Sequence, residues 1–288
     1  MNKEFSAITG DDTTPALSII PSPDDSPILS PILTANPHID PLAAIAPRTA
    51  FPSLADDVLA RIADDMNRQG FGVATDCIHP DDLSALRRFI EQAVAAAGGE
   101  YVAFTGHDSI RGTFLETLAL SPEFMQACRT IYRHGTGRTP PTVPFYQVLR
   151  CLSGKTGERH AFFFHYDSYV ITALVPVIMP TEGKRGDLMM LPNTRRIRTT
   201  YFRNLVDKIL LDNKVTQVAL RRLISWGYLR PTRVRMRPGN VYFFWGYRSV
   251  HANEPCDHDK TRATALFHYA NPHAGSRLRG VARGTPAP

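Results

Sequence analysis

The tripeptide His165-Tyr166-Asp167 closes the apolar run Ala161-Phe162-Phe163-Phe164, and another histidine, His251, follows far downstream. On a strand, residues two apart point to the same side, so His165 and Asp167 are expected to face one cavity while Tyr166 faces away. With His251 reaching that cavity from a facing strand, two imidazoles and one carboxylate cover one face of a metal's coordination sphere. This is the donor set of oxygen-activating non-haem Fe(II) centres, which need open positions. A structural zinc would need a fourth protein donor, and the sequence offers no obvious one. Arg262 stands eleven residues after His251, and Thr264 two further on. On a strand they share a face, where a guanidinium fork and a hydroxyl suit a carboxylate. Lys260 is the alternative cation. Gln147 and Arg150 precede the triad on a strand-like run. Their odd spacing lets at most one point inward, and Gln147 is favoured. Asn253, two after His251, is a further cavity candidate, with a turn role as its alternative. His160, His258, His268 and His273 read as structural or solvated.

The elements that must position these groups follow from periodicity. Residues 1–50 are rich in Pro, Ser, Asp and Thr and lack a sustained apolar period, so they read as a disordered or loosely docked leader. Leu54, Val58, Leu59, Ile62 and Met66 predict a helix with Ser53 as its cap, ended by Gly70. His79-Pro80-Asp81 opens a second helix and Ser121-Pro122 a third. From Val143 onward, short β-like runs alternate with turns: Phe145–Cys151, Ala161–Phe164, Tyr169–Ile178, Asp187–Leu191, Thr232–Met236, Val241–Trp245 and Thr264–Tyr269. Such a series suggests a sandwich or jelly roll. Tyr201 to Trp226 interrupts it with one or two basic helices, an insert spanning about residues 200–228. Residues 274–288 read as a flexible tail.

Four segments in order carry a family resemblance: His165-Tyr166-Asp167; Gly186-Asp187-Leu188-Met189-Met190-Leu191-Pro192-Asn193-Thr194-Arg195; the stretch from Pro238-Gly239-Asn240 to His251; and Arg262 to Pro272. Asn67-Arg68-Gln69-Gly70-Phe71-Gly72-Val73 adds a helix-to-strand entry. Together they resemble the phytanoyl-CoA dioxygenase-like branch of the Fe(II)/2-oxoglutarate-dependent dioxygenases, over roughly Leu54 to His273. The resemblance implies an α+β, mainly β fold: a double-stranded β-helix (jelly roll, cupin-like) core in residues 51–273, with flanking N-terminal helices and the helical insert. It implies Fe(II) on His165, Asp167 and His251, with 2-oxoglutarate as cosubstrate and O2 as oxidant. Arg262 would then hold the distal carboxylate of the cosubstrate, assisted by Thr264. Halogenases of this superfamily carry a small residue where this chain has Asp167, so the carboxylate implies hydroxylation, desaturation or ring formation. Two departures stand out. Asn193-Thr194-Arg195 replaces the family's usual Gly-Ser-His, and the basic insert follows it. Substrate identity therefore does not carry over.

Composition narrows the rest. A net charge of +6 and a pI near 9.2 read first as a mildly basic soluble protein; the sharper alternative is an anionic partner or small-molecule substrate. No zinc-finger spacing or RNA-binding aromatic motif appears, and no nucleic-acid partner is expected. Four widely spaced cysteines argue for reduced thiols and a cytoplasmic location. The longest apolar stretch, Tyr169 to Pro180, contains two prolines and is too short to span a bilayer. The leading expectation is an oxygenase of natural-product or amino-acid-derivative metabolism. Two alternatives stand beside it: a nucleic-acid demethylase of the same superfamily, whose second arginine on the last strand is His268 here, and a non-catalytic binding protein retaining the fold.

Overall fold

The structure, a computed structural model, describes residues 49–276. Most of the expected leader and tail therefore lies outside the described residues. The elements run α1 (Asp56–Arg68), β1 (Phe71–Ala74), α2 (Pro80–Ala96), β2 (Val102–Thr105), α3 (Phe114–Leu120), α4 (Pro122–Thr136), β3 (Tyr146–Leu152), α5 (Gly154–Arg159) and β4 (Ile171–Ile178). They continue β5 (Leu188–Leu191), α6 (Tyr201–Asp212), α7 (Lys214–Ser225), β6 (Thr232–Val234), β7 (Val241–Phe244), β8 (Val250–Asn253) and β9 (Arg262–Tyr269).

Period-2 patterning sorts these strands into two antiparallel sheets, ordered β1-β7-β4-β9-β3-β2 and β6-β5-β8. On β7, Val241 and Phe243 join the core shared with the helices, whereas Tyr242 and Phe244 join Leu174, Leu188, Met190, Val234 and Met236. The second group comes from both sheets, so the sheets pack face to face and enclose an interior. Mixed α/β architecture with two facing antiparallel sheets is compatible with a cupin-like jelly roll. A third core, Phe164, Met189, Leu211, Val250 and Ala252, seats the α6–α7 insert on the outer face of the smaller sheet.

Helices α1 and α4 cover the outer face of the large sheet. Leu59, Ile62, Ala63 and Met66 form the buried stripe of α1. Its N-cap is Ala55, not Ser53, and no side chain caps it. The caps of α2 and α4 do use the expected residues: His79 accepts from the Asp81 amide and Ser121 from the Phe124 amide. Helices α3 and α5 have no counterpart in the sequence reading. Each is short, so periodicity has little to work on.

One expectation is corrected in a way that matters for the site. The His165-Tyr166-Asp167 segment is not a regular strand. Phe162 takes a left-handed φ of 57°, and the only ladder contact is an isolated bridge between His165 and His251. The reason is a crossing between sheets. His165 and His251 exchange backbone hydrogen bonds at 3.0 and 3.1 Å, on the small sheet, and then the Asp167 amide donates to Gly246 O at 3.0 Å, just past β7 of the large sheet.

Candidate metal centre

Strand parity assigns the interior-facing groups. On β9, Ala263, Ala265, Phe267 and Tyr269 belong to the helix-side core, which turns Arg262, Thr264, Leu266 and His268 inward. On β8, Val250 and Ala252 face the insert, which turns His251 and Asn253 inward. The crossing segment adds His165 and Asp167. His251 Nε2 lies 3.4 Å and His165 Nε2 3.7 Å from Asp167 Oδ1. Donors at the usual metal–ligand distances of about 2.0–2.2 Å stand roughly 3–3.5 Å apart around one ion, so the three fit a common metal. Among the described residues these are the one group of three or more metal-ligating side chains. A three-donor set leaves coordination positions open.

Each donor is fixed from behind. His165 Nδ1 bonds Phe163 O at 3.1 Å and His251 Nδ1 bonds Ser249 O at 3.0 Å. A carbonyl partner makes Nδ1 the donor, which leaves the Nε2 lone pair for a metal. Burial, then the neighbouring His251, pushes the His165 pKa down to about 3, so its imidazole is neutral. Burial opposes a charged Asp167, yet the facing His251 and His268 hold its carboxyl well below the usual carboxylate range. Burial likewise opposes a protonated His251, but Asp167 overrides it and raises its pKa.

The second oxygen of Asp167 is held by a relay. Thr172 on β4 donates its hydroxyl to Asp167 Oδ2, and the same hydroxyl oxygen meets His268 Nδ1 at 2.9 Å. Gly246 leaves room for this contact, since a Cβ there would overlap Asp167 Oδ2 and lie 2.6 Å from Thr172 Oγ1. The sequence reading singles out neither Thr172 nor Gly246 and takes His268 as structural or solvated. We expect Thr172→Val, which keeps the shape and removes the hydroxyl, to weaken divalent-metal affinity by about 10–100-fold. Thr172→Ser should restore most of it. Calorimetric titration with Mn(II) measures both. Unchanged affinity in the valine variant would remove the relay from the site.

Arg262 is fully buried. Its Nη2 donates to Asn253 Oδ1 at 3.0 Å, while its Nε and Nη1 have no hydrogen-bond partner among the described residues. Burial lowers its pKa to about 10, which still leaves it charged near neutrality. A buried cation with two unpaired N–H nitrogens on one guanidinium is a receptor for a carboxylate. Gly186 lets the side chain pass, because a Cβ there would lie 2.6 Å from Arg262 Cδ. Lys260 is committed elsewhere, bonding Glu182 O at 2.8 Å and facing Asp257 at 3.7 Å.

The choice between Gln147 and Arg150 is reversed. Gln147 pairs with Phe267 and Arg150 with Thr264. Paired residues share a face, so Gln147 points to the helical layer and Arg150 into the interior. Thr264 lies inside, beside Arg262. Two of the arginines after Pro192, Arg195 and Arg198, are tied up in structure. Arg195 is buried between the rings of Tyr166 and Tyr247 and bonds Asp207, Asn204 and Tyr247 O at 2.7–2.9 Å. Arg198 clamps the same Asp207. These two pin α6 and do not grip a ligand.

No protein-family model matches the chain, nor does any curated protein. Among solved structures the fold is similar to AviO1 from Streptomyces viridochromogenes Tue57, with a TM-score of 0.51 and 17% identity over 80% of this chain and 97% of that one. It is similar to EvdMO1, with a TM-score of 0.50 and 18% identity over 75% of this chain and 50% of that one. A weaker likeness, TM-score 0.45 and 16% identity over 81% of this chain and 93% of the other, is to the non-heme alpha ketoglutarate dependent epimerase SnoN from nogalamycin biosynthesis. Identities this low speak to the fold. The site is read from its own geometry.

Proposed function

We propose that this chain is a non-haem Fe(II)- and 2-oxoglutarate-dependent oxygenase of the double-stranded β-helix type, acting on a small molecule and belonging to the phytanoyl-CoA dioxygenase-like branch. One observation carries the reading. A three-donor metal site and a buried arginine with two unpaired N–H nitrogens open into the same interior. His165, Asp167 and His251 would hold the iron. Arg262, positioned by Asn253 and neighboured by Thr264, would bind the distal carboxylate of 2-oxoglutarate. Bound there, iron and 2-oxoglutarate supply oxidising chemistry with O2, and the cosubstrate leaves as succinate and carbon dioxide.

The protein's share is positioning and exclusion of water. The carbonyl bonds to both Nδ1 atoms fix the imidazoles, and Thr172 fixes the carboxylate. Leu174, Leu188 and Met190 wall the interior with apolar surface. Asp167 fills the third protein position, which favours hydroxylation, desaturation or ring formation over halogenation. The four cysteines are free and buried, in keeping with a cytoplasmic enzyme of natural-product or amino-acid-derivative metabolism. No helix among the described residues is long and apolar enough to cross a membrane.

The test is succinate release by the full chain supplied with Fe(II), 2-oxoglutarate and O2. We expect slow substrate-free turnover that stops when iron is chelated and quickens with an accepted substrate. A chain that binds Fe(II) but converts no 2-oxoglutarate with any of a broad substrate panel would instead be a binding protein on this fold.

A further inference from the structure

Arg150 has no place in the chemistry above, yet it faces the same interior. On β3 it lies between Ala103 of β2 and Thr264 of β9, and neither neighbour can neutralise a charge. Among the described residues it makes no hydrogen bond or ion pair. Its charge acts on His165, His251, His160, Tyr101 and Arg262. One of these is a second arginine. A cation placed beside another cation, with no ion pair among the described residues, costs stability and returns nothing to the fold.

Its position separates it from Arg262. Arg262 is sealed in the interior, whereas Arg150 is partly exposed. The Ala103 side chain opposite it is small and leaves space on the edge strand. Nearby, Tyr101 and His160 stack at 4.0 Å with planes 20° apart, forming a flat wall beside the arginine. A ligand arriving after the cosubstrate meets Arg150, not Arg262.

We propose that Arg150 is the anchor for an oxyanion on the primary substrate, so that the substrate is a small molecule bearing a carboxylate, sulfate or phosphate group that docks beside the metal centre. This rests on the oxygenase reading for the word substrate, but the anion site itself stands on the geometry of Arg150. A guanidinium binds such a group through charge-assisted, often bidentate hydrogen bonds.

The test uses the full chain, kept anaerobic and saturated with Fe(II) and 2-oxoglutarate, and titrated calorimetrically with acetate, sulfate and methyl phosphate in separate arms. We expect at least one anion to bind, Arg150→Gln to weaken it by roughly tenfold or more, and Arg150→Lys to fall between. The three arms distinguish the classes of anion. Arg150→Gln should leave 2-oxoglutarate affinity within about threefold and Tm unchanged or higher, because an unpaired like charge has been removed. A tenfold loss of 2-oxoglutarate affinity would assign Arg150 to the cosubstrate and overturn the proposal. Binding of all three anions unaffected by the glutamine variant, or absent from the wild type, would also overturn it. Repeating the anion arms without iron and cosubstrate separates the two readings. Arg150-dependent binding there keeps the anion site even if the chain proves not to be an oxygenase.

Discussion

Asp167→Ala is expected to abolish succinate formation and, before that, the stabilisation of the chain by divalent metal. The first effect follows from the donor set. Without Asp167, two neutral imidazoles remain, and nothing among the described residues replaces the carboxylate. Outer-sphere changes at metal sites already cost about 10–100-fold in affinity, so loss of a charged ligand should cost at least about 100-fold. The second effect is a linkage argument. A ligand at 100 times its Kd stabilises the folded state by about 2.7 kcal/mol. For a domain of this size, each kcal/mol moves Tm by about 2–4 °C, so saturating Mn(II) should raise the wild-type Tm by roughly 5–11 °C. The alanine variant should show almost no rise. A thermal scan with and without Mn(II) reads this without any need for substrate. Asp167→Asn is the control for shape, since it fills the same space beside Gly246 and Thr172 while lacking the charge. Retained metal binding with retained activity in Asp167→Ala would refute the triad.

What sequence reading reached and missed at this site has physical causes. His165, Asp167, His251 and Arg262 stood out because their chemistry is rare and their neighbours are local punctuation, such as Pro238-Gly239-Asn240 leading into β7. The inward face of β3 was not legible. Choosing Arg150 over Gln147 requires the register of β3 against β9, and the run Tyr146–Leu152 is buried at both parities, intermediate only at Tyr146 and Arg150. Thr172 and His268 form one relay but are 96 residues apart, so no window contains both. The strand assigned to His165-Tyr166-Asp167 failed for another reason. Apolar alternation cannot reveal that a segment leaves one sheet for another, and only the backbone partners of His165 and Asp167 show it. The role of Arg195 and Arg198 was not legible because their acid, Asp207, lies on the following helix, where a helical turn brings it back to both.

Arg262→Gln separates the cosubstrate from the metal. The wild-type guanidinium is buried and charged, and two of its three nitrogens have no hydrogen-bond partner among the described residues. A carboxylate seated there makes charge-assisted bonds worth about 1.5–3 kcal/mol each. Losing two of them corresponds to roughly 10²–10⁴-fold in affinity. Glutamine retains one donor group and no charge, so 2-oxoglutarate affinity should fall by at least about 100-fold, with a parallel rise in its apparent KM. Mn(II) affinity should stay within a few-fold, because Arg262 touches none of the three donors. Arg262→Lys keeps the charge but not the fork and should fall between. A fold defect is distinguishable from a binding defect here. Removing an uncompensated buried cation relieves desolvation cost, so the variant without ligand should melt no lower than wild type, while the rise in Tm on adding 2-oxoglutarate disappears. Calorimetry with Mn(II)-loaded protein under nitrogen measures the affinities directly. An unchanged 2-oxoglutarate Kd would dismiss Arg262 from the pocket. Since Lys260 is bonded to Glu182 O, the role would then pass to Arg150, whose own variants report on that outcome.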